Sequence, residues 1–112
     1  MLTLDALRAY GANVDEGLQR CMNMEAFYLK LCGSLRENRQ VEDLQAAIGR
    51  KDLDAAFEIA HGLKGVYGNL AITPLYRPVC EITELLRSRT DTDYSALLAE
   101  IQDQKQKLDA LF

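Results

Sequence analysis

The sequence predicts an all-α fold: an antiparallel up-down four-helix bundle with one or two short N-terminal helices. Apolar residues recur three and four positions apart, which is the spacing of one face of an α-helix. Alternating apolar and polar runs, which indicate strands, are nearly absent. The joints between the periodic segments are short, and short joints favour antiparallel neighbouring helices.

The chain has 112 residues, of which 48% are hydrophobic and 27% charged. This length suits one domain with a single hydrophobic core. We therefore expect one domain over residues 1–112, with the bundle core over about residues 24–112.

Two short helices are predicted at the start of the chain. The first runs from about Leu4 to Tyr10 and ends at Gly11. Asn13 and Glu16 have the spacing of a capping box, so a second helix is expected from there to about Cys21.

A longer helix is expected from Met24 to about Arg36, with Asn23 as its N-cap. Its predicted apolar stripe consists of Phe27, Leu31 and Leu35. Beside that stripe lie Tyr28 and Cys32.

The next helix is predicted from Val41 to Ile48 and ends at Gly49. Asp52 is then the expected cap of the helix that carries His61.

The sequence ITP around Pro74 precedes a further helix, which extends to about Ser88 with a core stripe of Leu75, Val79, Ile82 and Leu86. If this helix begins near Leu75, Pro78 falls harmlessly in its first turn, whereas a start at Pro74 predicts a kink. The last helix is expected from Asp93 to about Leu111, with Leu97, Ile101 and Leu108 facing inward.

Charge and composition exclude several classes of function. The 13 basic and 17 acidic residues give a net charge of -4, and no basic stripe is present, so no nucleic-acid partner is expected. The N-terminal segment lacks the pattern of a signal peptide, and no apolar run approaches the roughly 20 residues of a membrane span. We expect a cytoplasmic protein without a membrane partner, and a monomer.

Cys21, Cys32 and Cys80 are widely spaced and form no CxxC pattern, so they are interpreted as small core residues. With a single histidine, a structural zinc site lacks its usual ligands. Neither a metal nor a cofactor is predicted.

The segment HGLKGVYGNL, residues 61–70, holds the only histidine and three of the seven glycines. Each glycine inside a helix costs up to about 1 kcal/mol relative to alanine. At about 100° per residue, His61 lies opposite the apolar side of its helix. Gly65, Gly68 and Phe57 fall within about 40° of His61, and Lys64 about 60° away, by the same count.

Two interpretations fit this arrangement. One is a surface histidine near a weakened helix end. The other is a histidine that a partner's backbone must approach closely, which glycine permits.

An open face of a small bundle is expected to offer no pocket, so a hydrolytic triad is disfavoured. The histidine itself is then the nucleophile. Imidazole is largely neutral near pH 7, and its free nitrogen can attack and carry a phosphoryl group. Lys64, one turn away, would offset the added negative charge.

The segment AHGLKGVYGNLA, residues 60–71, resembles the family of histidine-containing phosphotransfer domains, the HPt modules of multistep phosphorelays. The pattern is a histidine, a lysine three positions on, a glycine immediately after it, and then Asn-Leu. The resemblance covers roughly residues 24–112 and implies a four-helix bundle. It also implies that His61 accepts the phosphoryl group, Lys64 contacts it and Gly65 admits the partner.

In the family, a polar residue of the following helix, often glutamine, commonly lies against the histidine ring. The corresponding position here is Thr83, and Arg87 is a candidate for neutralising phosphate or meeting the partner. Gly68 and Phe57 complete the predicted docking set. Phe57 has a second interpretation, as an edge-of-core residue held by the N-terminal helices.

The resemblance implies a histidine phosphotransfer protein of a two-component phosphorelay. It would pass a phosphoryl group between receiver-domain aspartates without autokinase activity. The implied partners are response-regulator receiver domains or a hybrid histidine kinase. Two alternatives remain open: a helical docking module that is not phosphorylated, and the excised histidine domain of a larger kinase. A nucleotide hydrolase is disfavoured because no phosphate-loop signature occurs.

Overall fold

The computed structural model describes all 112 residues and is helical throughout, without strands. Seven α-helices and one 3-10 helix follow in order: α1 (Leu4–Tyr10), α2 (Val14–Arg20), α3 (Glu25–Gly33), the 3-10 helix (Ser34–Glu37), α4 (Gln40–Gly49), α5 (Leu53–Asn69), α6 (Thr73–Arg87) and α7 (Ser95–Asp109). The predicted all-α class is confirmed. None of these helices combines the length and the apolar character that crossing a bilayer requires.

Helices α4 to α7 form the bundle. Helix α5 packs against α4 and α6, and α7 packs against α6 and α4, which closes the ring of four. Between α5 and α6, Lys64 pairs with Glu84 and Gly68 packs against Tyr76. Residue numbers rise along one helix as they fall along the other, so α5 and α6 are antiparallel.

The core stripe of α6 is the one that the sequence predicts. Its members have no exposed surface: Leu75, Val79, Ile82 and Leu86. Full burial of one such side chain contributes about 1.5–3 kcal/mol. This stripe therefore fixes which face of α6 turns toward the core.

The predicted signals are present at the end of α1 and at the start of α2. The Asn13 side chain accepts a hydrogen bond from the Glu16 backbone N–H and donates one to the Glu16 carboxylate, both at 3.2 Å. Such a cap stabilises a helix by about 1 kcal/mol. Helix α1 ends at Gly11, whose φ of 114° is left-handed and suits glycine.

The start of α3 differs from the prediction. Asn23 does not cap the helix, because it has a left-handed φ of 57° in the turn before it. Helix α3 begins at Glu25 and gives way to the 3-10 helix after Gly33, so the predicted single helix to Arg36 is wrong.

The buried face of α3 also differs, because Tyr28 and not Phe27 anchors it. The Tyr28 hydroxyl donates a hydrogen bond to the Leu70 carbonyl at 2.9 Å, and its ring is fully buried. Gly17 makes room for this ring, since a Cβ at Gly17 would lie 2.5 Å from a ring carbon. Phe27 consequently faces outward and is 45% exposed.

Pro78 lies inside α6, not in its first turn, because the helix begins at Thr73. Its ring is buried, and the missing N–H leaves the Pro74 carbonyl without its usual helical donor. Further on, α7 begins two residues later than predicted; Ile101 and Leu108 are buried, whereas Leu97 is half-buried.

Candidate functional site

Helix α5 carries the histidine on its outer face. The Asp52 side chain caps the helix by accepting a hydrogen bond from the Ala55 N–H at 3.1 Å. The inward face is fully buried and comprises Ala56, Ala60, Leu63 and Tyr67. His61 is exposed on the opposite side, where the helical projection puts it, and its ring makes no hydrogen bond within the protein.

The three glycines of α5 have different surroundings. A Cβ at Gly65 would meet nothing within 4 Å, so the helix wall one turn after His61 is open. A Cβ at Gly68 would lie 2.9 Å from the ring of Tyr76, and one at Gly62 would lie 3.7 Å from Gln40. Gly68 is therefore small because α6 packs against it, which corrects the expectation that it is bare for a partner.

Phe57 precedes His61 by one turn and stacks against it. The two ring centroids are 5.8 Å apart, with an interplanar angle of 18°. The guanidinium carbons of Arg87 and Arg89 lie 5.1 and 5.0 Å from the centroid of the same Phe57 ring. Phe57 is half-buried and packs against the hydrophobic core, which confirms the interpretation as an edge-of-core residue. The cations on its ring come from the end of α6 and the turn after it, however, and not from the N-terminal helices.

Lys64 and Arg87 share one carboxylate. The Lys64 ammonium lies 3.7 Å from Glu84, and Arg87 Nε donates a hydrogen bond to the other oxygen of Glu84 at 3.3 Å. Partly exposed pairs of this kind contribute only about 0–1 kcal/mol. Lys64 is therefore held near His61 without being locked in place.

Thr83 does not reach the surface. Its side chain is fully buried, and its hydroxyl donates a hydrogen bond to the Val79 carbonyl at 2.6 Å. The threonine lies on the side of α6 that faces the core. The predicted part of Thr83 in docking is therefore wrong, because its side chain has no exposed surface that a partner could contact.

A cleft of about 390 Å³ opens beside His61, which corrects the expectation that this face has no pocket. Lys64, Gly65 and His61 form one wall, and Arg20 of α2 and Tyr76 of α6 contribute to the others. Arg20 forms an ion pair with Glu16 at 3.1 Å. The predicted site lacks Arg20, Glu84 and Arg89, because only the tertiary fold brings these residues near α5.

The fold and site define a helical module with an exposed imidazole, an open helix wall after it and a lysine one turn away. The sequence model of the Hpt domain family matches residues 30–111. The chain belongs to this family of histidine phosphotransfer modules of phosphorelays, which confirms the resemblance. The match begins within α3, so α1 and α2 lie outside it. No curated protein and no solved structure matches the chain.

Proposed function

We propose that the chain is a phosphocarrier: His61 takes a phosphoryl group from the aspartate of one receiver domain and passes it to the aspartate of another. The observation that carries this proposal is the open surface at Gly65, one turn after an exposed histidine whose ring is free of hydrogen bonds. A partner's backbone can approach the ring there because no Cβ obstructs it.

In the proposed reaction, the lone pair of the unprotonated ring nitrogen of His61 attacks the phosphorus atom of an aspartyl phosphate. An N–P bond forms as the P–O bond to aspartate breaks, and that bond's electron pair leaves with the carboxylate. The other ring nitrogen keeps its proton, which can exchange with water. Transfer to the second receiver reverses these steps.

Lys64 is proposed to contact the transferred phosphoryl group. A phosphate brings about two negative charges, more than the single charge of Glu84 that Lys64 now faces. The ammonium group can therefore exchange one acceptor for a stronger one at small cost, since the present pair is weak. Arg87, exposed beside Phe57, is proposed as a second cation for the phosphate or for the partner.

The proposed partners are response-regulator receiver domains or a hybrid histidine kinase, bound transiently around His61. Because a carrier must release each partner, we expect an interface below the roughly 1,600 Å² of stable complexes. The chain is further proposed to act in the cytoplasm as a monomeric domain over residues 1–112. It needs no cofactor and has no autokinase activity of its own.

The experiment that tests this function uses a receiver domain phosphorylated with a small phosphodonor. Mixing it with the chain should give a phosphoprotein whose phosphate is labile in acid and stable in base. His61→Gln should give none, whereas Arg77→Gln, which changes an exposed residue outside the site, should react normally. A wild-type chain that binds the receiver without accepting phosphate would instead be a docking module.

Incubation with ATP alone separates a carrier from a kinase. The carrier proposal predicts no incorporation until a phosphorylated receiver or an autophosphorylating kinase is added. Phosphate taken directly from ATP would contradict it.

A further inference from the structure

The His61 ring has a single aromatic neighbour and no hydrogen bond to hold it. Thr83, which lies on the next helix, turns its hydroxyl to the Val79 carbonyl. The contact that remains is the stack on Phe57, with an interplanar angle of 18°. Phe57 is therefore the aromatic group available to orient the imidazole plane.

Phe57 is in turn held by two cations, Arg87 at the end of α6 and Arg89 in the turn after it. Arg89 Nε donates a hydrogen bond to Asp54 at 2.7 Å, and its Nη1 donates one to the Leu86 carbonyl at 2.7 Å. These bonds fix the guanidinium 5.0 Å from the Phe57 centroid, where the electron-rich ring face attracts it. Arg87, tied to Glu84, makes a second such contact.

We propose that Phe57 is a positioning residue for phosphoryl transfer: it sets the plane of the His61 imidazole, and Arg89 holds Phe57 in place. The stack uses a ring face and leaves both ring nitrogens free to react. A ring fixed before the partner arrives needs no reorientation at the moment of attack, which accelerates an in-line displacement. This role rests on the proposed function of His61.

Phe57→Leu is the variant that tests the role, because leucine keeps an apolar side chain and removes the aromatic ring. His61 is the only histidine, so its ring resonances are identified without ambiguity in an NMR spectrum. Loss of the ring current of Phe57 should change their chemical shifts. The transfer rate at saturating phosphorylated receiver should fall about tenfold, with the half-saturating concentration nearly unchanged. Phe57→Tyr, which restores a ring, should recover both the resonances and the rate.

A second variant leaves Phe57 itself intact and serves if Phe57→Leu folds poorly. Arg89→Gln removes one guanidinium from the Phe57 ring and should shift the His61 resonances in the same direction as Phe57→Leu. Arg77→Gln, an exposed arginine elsewhere on α6, is the matched control and should leave them unchanged.

Unchanged His61 resonances in both Phe57→Leu and Arg89→Gln would overturn the proposal. A Phe57→Leu variant with a raised half-saturating concentration and the wild-type saturating rate would overturn it too, and would make Phe57 a docking residue. Failure of the wild-type chain to accept phosphate contradicts the proposed function itself, and the two failures are therefore distinct.

Discussion

Gly68 and Tyr76 are in close contact across α5 and α6: a Cβ on Gly68 would lie 2.9 Å from a ring carbon of Tyr76. The two glycines that flank the same cleft thus have different reasons to be small. Gly68 admits a side chain of its own protein, whereas Gly65 faces open space.

Alanine substitutions should separate these two roles. Gly65→Ala should raise the free energy of unfolding by up to about 1 kcal/mol, because alanine favours the helix and meets no neighbour. Gly68→Ala should lower it, since overpacking costs about 1–3 kcal/mol and exceeds the gain in helix propensity. Urea denaturation of both variants measures the difference.

A double-mutant cycle checks the cause of the second effect. In a Tyr76→Ala background, Gly68→Ala should become stabilising because the ring that obstructs the Cβ is gone. An equal loss of stability in both backgrounds would show that Tyr76 is not the obstacle.

Gly65→Gln should separate stability from transfer. Glutamine has a good helix propensity, so the variant should be more stable than the wild type by about 0.5–1 kcal/mol. Its side chain would fill the open wall beside His61 and should reduce phosphoryl transfer from a receiver strongly. Denaturation curves measure the change in stability, and quenched time courses of phosphoryl transfer measure the change in rate. Normal transfer in a stabilised variant would show that Gly65 does not serve docking.

The sequence was sufficient to predict seven helical segments, apart from the cap and the end of α3, and the outward direction of His61. Helix caps such as Asn13 and Asp52 are local signals, and the buried stripe of α6 follows from its own periodicity. These features depend on residues close together in the chain, so a pattern can show them.

The surroundings of His61 could not be predicted in the same way. The burial of Tyr28 in place of Phe27 depends on the space at Gly17 and on the carbonyl of Leu70, both distant in sequence. Arg89 likewise reaches Phe57 only because the end of α6 lies beside the start of α5. The projection of one helix gives the side that faces solvent, but not what the neighbouring helices bring to it.

Alkaline pH should destabilise the fold, in part through Cys32. Burial raises the pKa of its thiol from the ordinary value of 9.0 to about 11. The folded state therefore favours the neutral thiol, and this contribution to stability is present below pH 9 and is lost as the pH rises toward 11. Denaturation at a series of pH values should show the decline.

Cys32→Ala is the matched variant for this pH dependence. It should be less stable at neutral pH, because a buried side chain has lost its sulfur, but should decline less steeply between about pH 9 and 11. Burial raises the pKa of Tyr28 as well, so some decline should remain. Parallel curves for the variant and the wild type would exclude Cys32 as a contributor.

Lys64 and Glu84 provide a test of charge at the site. Lys64→Ala should slow transfer to His61 by about tenfold or more, because a hydrogen bond to a charged group contributes roughly 1.5–3 kcal/mol.

Glu84→Gln should have the opposite effect and accelerate phosphorylation or slow the hydrolysis of the phosphohistidine. The substitution removes the carboxylate that now lies 3.7 Å from the Lys64 ammonium. Lys64 is half-buried and Glu84 is exposed, and loss of this weak pair should change the free energy of unfolding by no more than about 1 kcal/mol. Single-turnover transfer and phosphohistidine lifetimes, measured on both variants, give the comparison. If both variants slow transfer equally, the ion pair acts as a unit, and Lys64 does not leave Glu84 to contact the phosphoryl group.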